Sequence, residues 1–202
     1  VIEAAGRASV GPWAEAALTA GCEIIVASTS AFTDDGLLAR LITLAGQHGG
    51  RLTVPSGSIG AVDALSAASV LPLTSVTHRI VKPPGGWRGT VAEGLADLAA
   101  LTTATVLFSG SAREAAARFP QNANATVVTA LAGIGLDRTR VELIADPHNG
   151  QNRHDIAAEG AFGRFEITLA NAPMEGNPRS SALTALSLVH LVRNRCRAFS
   201  IG

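Results

Sequence analysis

From Val1 to Val54 the chain alternates between short apolar runs and longer helix-patterned ones, and this alternation restricts the fold more than any other feature. Val1–Ala5 is a strand-like run closed by Gly6. Ser9–Ala20 reads as a helix, with Pro12 expected in its first turn and Gly21 as its stop. Cys22–Ala27 is rich in β-branched residues. Asp34 and Asp35 then precede a segment whose Leu37, Leu38, Leu41, Ile42 and Leu44 share one helical face, and Arg51–Val54 is strand-like again. Strand, helix, strand, helix, strand with short connections predicts a parallel sheet covered by helices, with ligands collecting at the carboxyl ends of the strands. Three loops become candidates on that ground: Ala4–Arg7, Ser28–Phe32 and Pro55–Gly60. Small residues dominate all three, which lets the backbone approach a flat ligand.

After Val62 the period changes. A short helix over Val62–Ala68 is followed by a strand over Ser75–Val81 and by KPPGGWRGT, too rich in proline and glycine for regular structure. Thr90 and Glu93 match a capping box and predict a helix over Val91–Leu101. A strand over Ala104–Phe108 and a helix over Ser111–Arg118 come next, then a central helix from about Asn122 to Leu131. Thr139–Ala145, His154–Ala158 and Phe162–Ala170 alternate polar with apolar residues, as strands with one solvated face do. Asn171–Pro178 reads as a loop and Ser181–Arg195 as an amphipathic helix.

The chain is thus expected to be α/β. Residues 1–61 would form part of a Rossmann-type parallel sheet. Residues 62–178 would form an α+β domain with a mostly antiparallel or mixed sheet, and helix 179–196 would pack back on the first domain.

Sixteen basic and sixteen acidic residues balance, so bulk charge gives no reason to expect nucleic acid or an anionic membrane as partner. No uncharged apolar stretch approaches the ~20 residues of a membrane helix, and the first residues lack a signal-peptide pattern, so a cytoplasmic location is expected. Cys22 and Cys196 stand in no metal or disulfide pattern and are expected to be buried thiols in a reducing compartment. The histidines have no carboxylate or cysteine at ligand spacing, so no metal is expected. The glycines at 133 and 135 follow a helix and do not form a dinucleotide fingerprint.

His154 is the strongest single candidate for chemistry, because an imidazole takes and returns protons near neutrality. Asn149, Asn152, Arg153 and Asp155 around it suggest an exposed segment. Asn122 and Asn124 stand at a helix start, where amides favour carboxylate and carbonyl oxygens. Lys82, the chain's lone lysine, and Arg88 flank the PPGGW loop; with the Gly89 and Thr90 amides they could hold a dicarboxylate.

PSGSIGAVDAL, VKPPGGWRGT, FPQNANATVVTALAGIGLD, TRVELIADP followed by NRHDI, GAFGRFEI and NPRSSALTALS together resemble the L-aspartate dehydrogenase family, over almost the whole chain and in the family's order. The resemblance implies NAD- or NADP-dependent oxidation of L-aspartate, or a similar small dicarboxylate, to an imine that feeds NAD biosynthesis, by a homodimer. It implies His154 as acid/base and Asn124 and Ser58 as cofactor contacts, with serine at 58 where the family usually has alanine. Ala5 and Ser28, in the first two candidate loops, are further expected cofactor contacts. The family's first strand and Gly-rich phosphate loop do not appear ahead of Val1, so an N-terminally shortened member is expected, its sheet presenting an edge and an apolar face. Two other readings fit the pattern: a homoserine dehydrogenase-like or dihydrodipicolinate reductase-like oxidoreductase, and a catalytically silent module that dimerises or binds a small acid. Activity on aspartate separates them.

Overall fold

A computed structural model describes residues 1–174 and 177–199 and divides into two compact units, Val1–Pro55 and the chain from Ser56 onward. In the first unit, strands β1 (Ile2–Glu3), β2 (Glu23–Val26) and β3 (Arg51–Thr53) pair parallel in that order, joined by helices α1 (Arg7–Thr19) and α2 (Asp35–His48). The expected alternation is present, and Ile24, Ile25, Val26, Leu18 and Leu41 supply its apolar core. The Asp34 side chain caps α2 by accepting from Leu37 N at 3.0 Å, and Gly49 ends it at φ 68°. Pro12 is not in the first turn as expected: α1 starts at Arg7, so the ring falls inside the helix. β1 is an edge strand, and Ile2 is 51% exposed.

The second unit begins with a 3₁₀ turn at Gly57–Ile59 and helix α3 (Val62–Ala68). Its centre is a five-stranded mixed sheet of β4 (Leu73–Lys82), β5 (Thr105–Ser111), β6 (Arg140–Ala145), β7 (Asn152–Gly160) and β8 (Gly163–Asn171), in the order β5-β6-β4-β7-β8. Only the β4–β6 pair is parallel; the connection between these strands carries β5, helix α4 (Ala112–Arg118) and helix α5 (Ala123–Ala132). A capping box starts α4, with the Ser111 side chain accepting from Glu114 N while Glu114 accepts from Ser111 N. Helix α6 (Ala182–Arg195) closes the unit, capped by Ser181.

Several expectations are corrected here. Thr90 does accept from Ala92 N, but only a 3₁₀ turn, Val91–Gly94, follows in place of the helix to Leu101. Gly94 weakens a helix, and the Asp97 side chain captures Ala99 N locally, so the backbone has a competing partner. The expected loop over Asn171–Pro178 contains two short paired strands, β9 (Pro173–Met174) and β10 (Asn177–Ser181). The division falls after Pro55 rather than after Ala61, and α6 belongs to the second unit. There Gly57 N donates to Ser187 Oγ (3.1 Å) and Asn171 Nδ2 to Ser58 O (2.9 Å), which fastens the Gly57–Ile59 turn to the sheet and to α6. Both thiols are exposed, since Cys22 precedes β2 in a turn and Cys196 follows the end of α6. Among the described residues no helix is long and apolar enough to cross a membrane.

At the β7–β8 turn, a Cβ on Gly160 would meet Pro72 O at far less than contact distance and Leu73 Cα at 2.8 Å. Gly160→Ala is expected to destabilise the protein by about 1–3 kcal/mol, because backbone rather than a flexible side chain stands in the way. Gly150→Ala, with nothing within 4 Å, is the control and should stay within about 0.5 kcal/mol. Urea unfolding of both variants checks this; equal midpoints would show that the start of β4 has room to shift.

Candidate functional site

Alternate residues of a strand share a face, so His78, Ile80 and Lys82 of β4 point the same way. The register sets His154 of β7 opposite Ile80. Asn122, Thr126 and Thr129 recur at helical spacing along the start and body of α5, which packs on β4. Two polar groupings form where these elements meet. Thr129 Oγ1 lies 2.9 Å from His78 Nδ1, and His78 Nε2 lies 2.9 Å from His154 Nδ1. Lys82 Nζ donates to Asn122 Oδ1 at 2.7 Å.

These groups are buried. His78 and Thr129 are 0% exposed, His154 6% and Asn122 8%. The exposed segment expected around His154 is therefore corrected: Asn152 and Asp155 are only partly covered, but the strand alternation turns the imidazole itself inward. Loss of water holds His154 down to about 4, with the Lys82 charge adding to the effect and Asp155 opposing it. Burial, and then His154, lower His78 well below the ordinary imidazole range. Both rings are neutral at pH 7. Burial also lowers Lys82 to about 8, so it stays largely protonated at that pH.

The PPGGW loop supports the lysine. Trp87 is fully buried, donates Nε1–H to Ile144 O at 3.1 Å, and lies 5.1 Å beneath Lys82 Nζ. A Cβ on Gly86 would meet Lys82 Cβ at 3.1 Å, so glycine there lets the loop lie against the lysine stem. With Asn122 Oδ1 occupied by Lys82, the other end of the amide is oriented, and Asn122 Nδ2 has no hydrogen-bond partner among the described residues. A buried donor without a partner costs about 1–3 kcal/mol, which a ligand oxygen would relieve.

The structure thus brings His154, Lys82 and Asn122 together. Asn124 stands on the first turn of α5 and is exposed, unlike Asn122. Ser58 is half-buried on the Gly57–Ile59 turn, which adjoins α5. Arg88 instead lines an open cleft of about 600 Å³ with residues 93–99, which neither Lys82 nor His154 lines. Thr90 Oγ1 donates to Trp87 O and accepts from Ala92 N, and the helix start expected at Gly89–Thr90 is absent.

In the first unit the Glu3 carboxylate, 3% exposed, joins two of the candidate loops. It accepts from Ala5 N (2.7 Å), Gly6 N (2.9 Å), Ser28 N (3.1 Å) and Ser28 Oγ (3.1 Å). A ligand at Ala5 or Ser28 would therefore meet carbonyl oxygens and small side chains rather than those donors. Sequence reasoning missed His78, Thr129 and Glu3. The period-two spacing of His78 and Lys82 on one strand was the available signal.

Residues 63–195 match the family described as "Aspartate dehydrogenase, C-terminal", and residues 1–55 the one described as "Homoserine dehydrogenase, NAD binding domain". An L-aspartate dehydrogenase of Brucella anthropi is 54% identical over 195 residues, 96% of this chain and 73% of the relative. Another, from Cupriavidus taiwanensis, is 45% identical over 201 residues, 100% of this chain and 76% of the relative. The crystal structure of an aspartate dehydrogenase from Thermotoga maritima matches with a TM-score of 0.84 at 29% identity, covering 100% of this chain and 77% of that one.

The buried imidazole has a consequence for stability. The unfolded chain protonates His154 below the ordinary imidazole value of 6.5, while the folded chain resists until about 4. Between those values the unfolded state binds more protons, so stability falls as pH falls. Acidification from pH 7 to 5 should cost on the order of 2 kcal/mol through His154 alone. Urea unfolding at the two pH values, with His154→Asn as the comparison, checks this; an equal pH dependence in the variant would show that His154 is not the group responsible.

Proposed function

The chain belongs to the aspartate dehydrogenase family, and we propose that it oxidises L-aspartate to iminoaspartate with NAD or NADP, with His154 as the acid/base. The observation that carries this reading is the buried cluster itself: a neutral imidazole beside an ammonium group and an amide donor with no hydrogen-bond partner among the described residues.

Lys82 Nζ and Asn122 Nδ2 suit a substrate carboxylate. The ammonium supplies charge in a water-poor site, where it counts for more than at the surface, and the amide gains the partner it lacks. The bound carboxylate also offsets the Lys82 charge that depresses His154, which raises the basicity of the imidazole when substrate is present. His154 then takes a proton from the substrate ammonium, leaving the amine lone pair to form the C=N bond as hydride departs from the α-carbon. The nicotinamide cofactor supplies the acceptor for that hydride.

The residues fit such a cofactor. Gly6 at φ 118° and Gly57 at φ 62° both have open space where a Cβ would stand, as a flat ligand lying against backbone requires. Asn124 and Ser58 are the residues we assign to it in the second unit, with Ala5 and Ser28 in the first. In this reading the first unit holds the nucleotide and the second unit the substrate. The edge strand β8, whose half-buried Phe165, Ile167 and Leu169 alternate with exposed residues, supports a homodimer. The imine would enter NAD biosynthesis in the cytoplasm.

Two measurements test the proposal. His154→Ala should lower aspartate-dependent reduction of the cofactor by about 10²–10⁴-fold and leave cofactor affinity nearly unchanged; unaltered turnover would remove the histidine from the chemistry. Succinate, a dicarboxylate without an amine, should inhibit in competition with aspartate. Its affinity should fall by about tenfold per unit above pH 8, because Lys82 loses its proton as pH rises through about 8. Lys82→Met should bind succinate weakly at every pH; a retained alkaline limb would exclude this lysine as the carboxylate partner.

A further inference from the structure

His78 lies one ring behind the imidazole to which the chemistry is assigned. It is completely buried on β4, and both of its nitrogens are engaged, Nδ1 by Thr129 Oγ1 and Nε2 by His154 Nδ1, each at 2.9 Å. The rings are 5.2 Å apart and tilted by 41°. A nitrogen-to-nitrogen hydrogen bond has room for one proton, so the tautomers of the two rings are linked. If His78 accepts at Nε2, His154 carries its proton on Nδ1 and presents a bare Nε2. If His78 donates, His154 must carry its proton on Nε2.

Thr129 selects between these states. Its hydroxyl has one proton and sits 3.1 Å from Ala125 O, the carbonyl one helical turn earlier. When the hydroxyl donates to Ala125 O, it can only accept from His78, which fixes the proton of His78 on Nδ1 and frees Nε2 to accept from His154. We propose that His78, oriented by Thr129, is a positioning residue that holds His154 in the Nδ1–H tautomer, so that its Nε2 lone pair faces the substrate amine. The inference rests on the assignment of His154 as the acid/base.

The proton inventory closes with water as the final acceptor. One ammonium N–H bond breaks and one N–H bond forms at His154 Nε2. The imidazolium keeps its Nδ1–H donated to His78 Nε2, which stays neutral because burial disfavours charge on the inner ring. Loss of the Nε2 proton to water restores the neutral Nδ1–H tautomer. The charged neighbours that bear on His154 are Lys82 from β4 and Asp155 from β7; α5 contributes the uncharged Asn122, Thr126 and Thr129.

The test is nitrogen NMR of histidine-labelled protein at pH 7, with kinetics of two variants. His154 is expected to show a protonated Nδ1 and a bare Nε2, and His78→Leu should lose that tautomer. A resting His154 protonated on Nε2 would overturn the proposal, and this readout is independent of whether aspartate is the substrate. In kinetics, His78→Leu should lower kcat on the order of a hundredfold with little change in KM for aspartate. His78→Gln, which can still accept from His154 Nδ1, should recover much of the loss. In a His154→Ala background His78→Leu should lower turnover no further, whereas a merely structural defect would lower it again. An equal further loss there would overturn the positioning role, while unchanged turnover in His154→Ala alone would overturn the acid/base assignment.

Discussion

Loss of water is the constraint around which the second unit is arranged. A buried imidazole must find protein partners for both nitrogens, and a buried ammonium must find an acceptor. β4 presents His78 and Lys82 on one face, so whatever covers that face has to supply oxygen at two points four residues apart along the strand. α5 does so with Thr129 at one end and Asn122 at the other. Ile80 separates the two polar points and is itself fully buried. The site is thus two polar contacts set into an apolar helix–sheet interface, and its geometry is only as adjustable as that packing.

The first unit meets a similar demand by different means. Glu3 is a carboxylate buried at the end of a two-residue strand, and it is satisfied by four donors from the chain following β1 and β2. One side chain thereby holds two candidate ligand loops in a fixed relation. The donors it uses are withdrawn from any ligand, so recognition there falls to shape and to carbonyl oxygens.

The alternation of apolar runs and helical segments was legible in the sequence because each strand of the first unit is short, β-branched and bounded by glycine or polar residues. The family was legible because long motifs persist through the second unit. The burial of His154 was not, since its neighbours in sequence are polar while its neighbours in space are Ile80, His78 and α5. Periodicity alone could align His78 with Lys82, but only the strand register shows that His154 stands between them. Thr90 shows the opposite failure: its local signal was correct, and the helix still failed to extend past Gly94 because Asp97 offered the backbone another partner. For the two cysteines, residue type suggested burial, but both occupy element ends, where the chain turns back toward solvent.

The parallel pairing of β4 with β6 also governs the order in which the protein can assemble. β4 lies in the middle of the sheet, yet both of its neighbours are made later, β6 from Arg140 and β7 from Asn152. During synthesis this strand leaves the ribosome with two open edges, and it keeps them while the PPGGW loop, β5, α4 and α5 are added. Non-local pairing of this kind is slow and leaves adhesive strand edges exposed in the interval. Residues 83–139 therefore have a second task besides carrying α5 to the site: they set how long the nascent chain must be kept from aggregating before its central strand is covered.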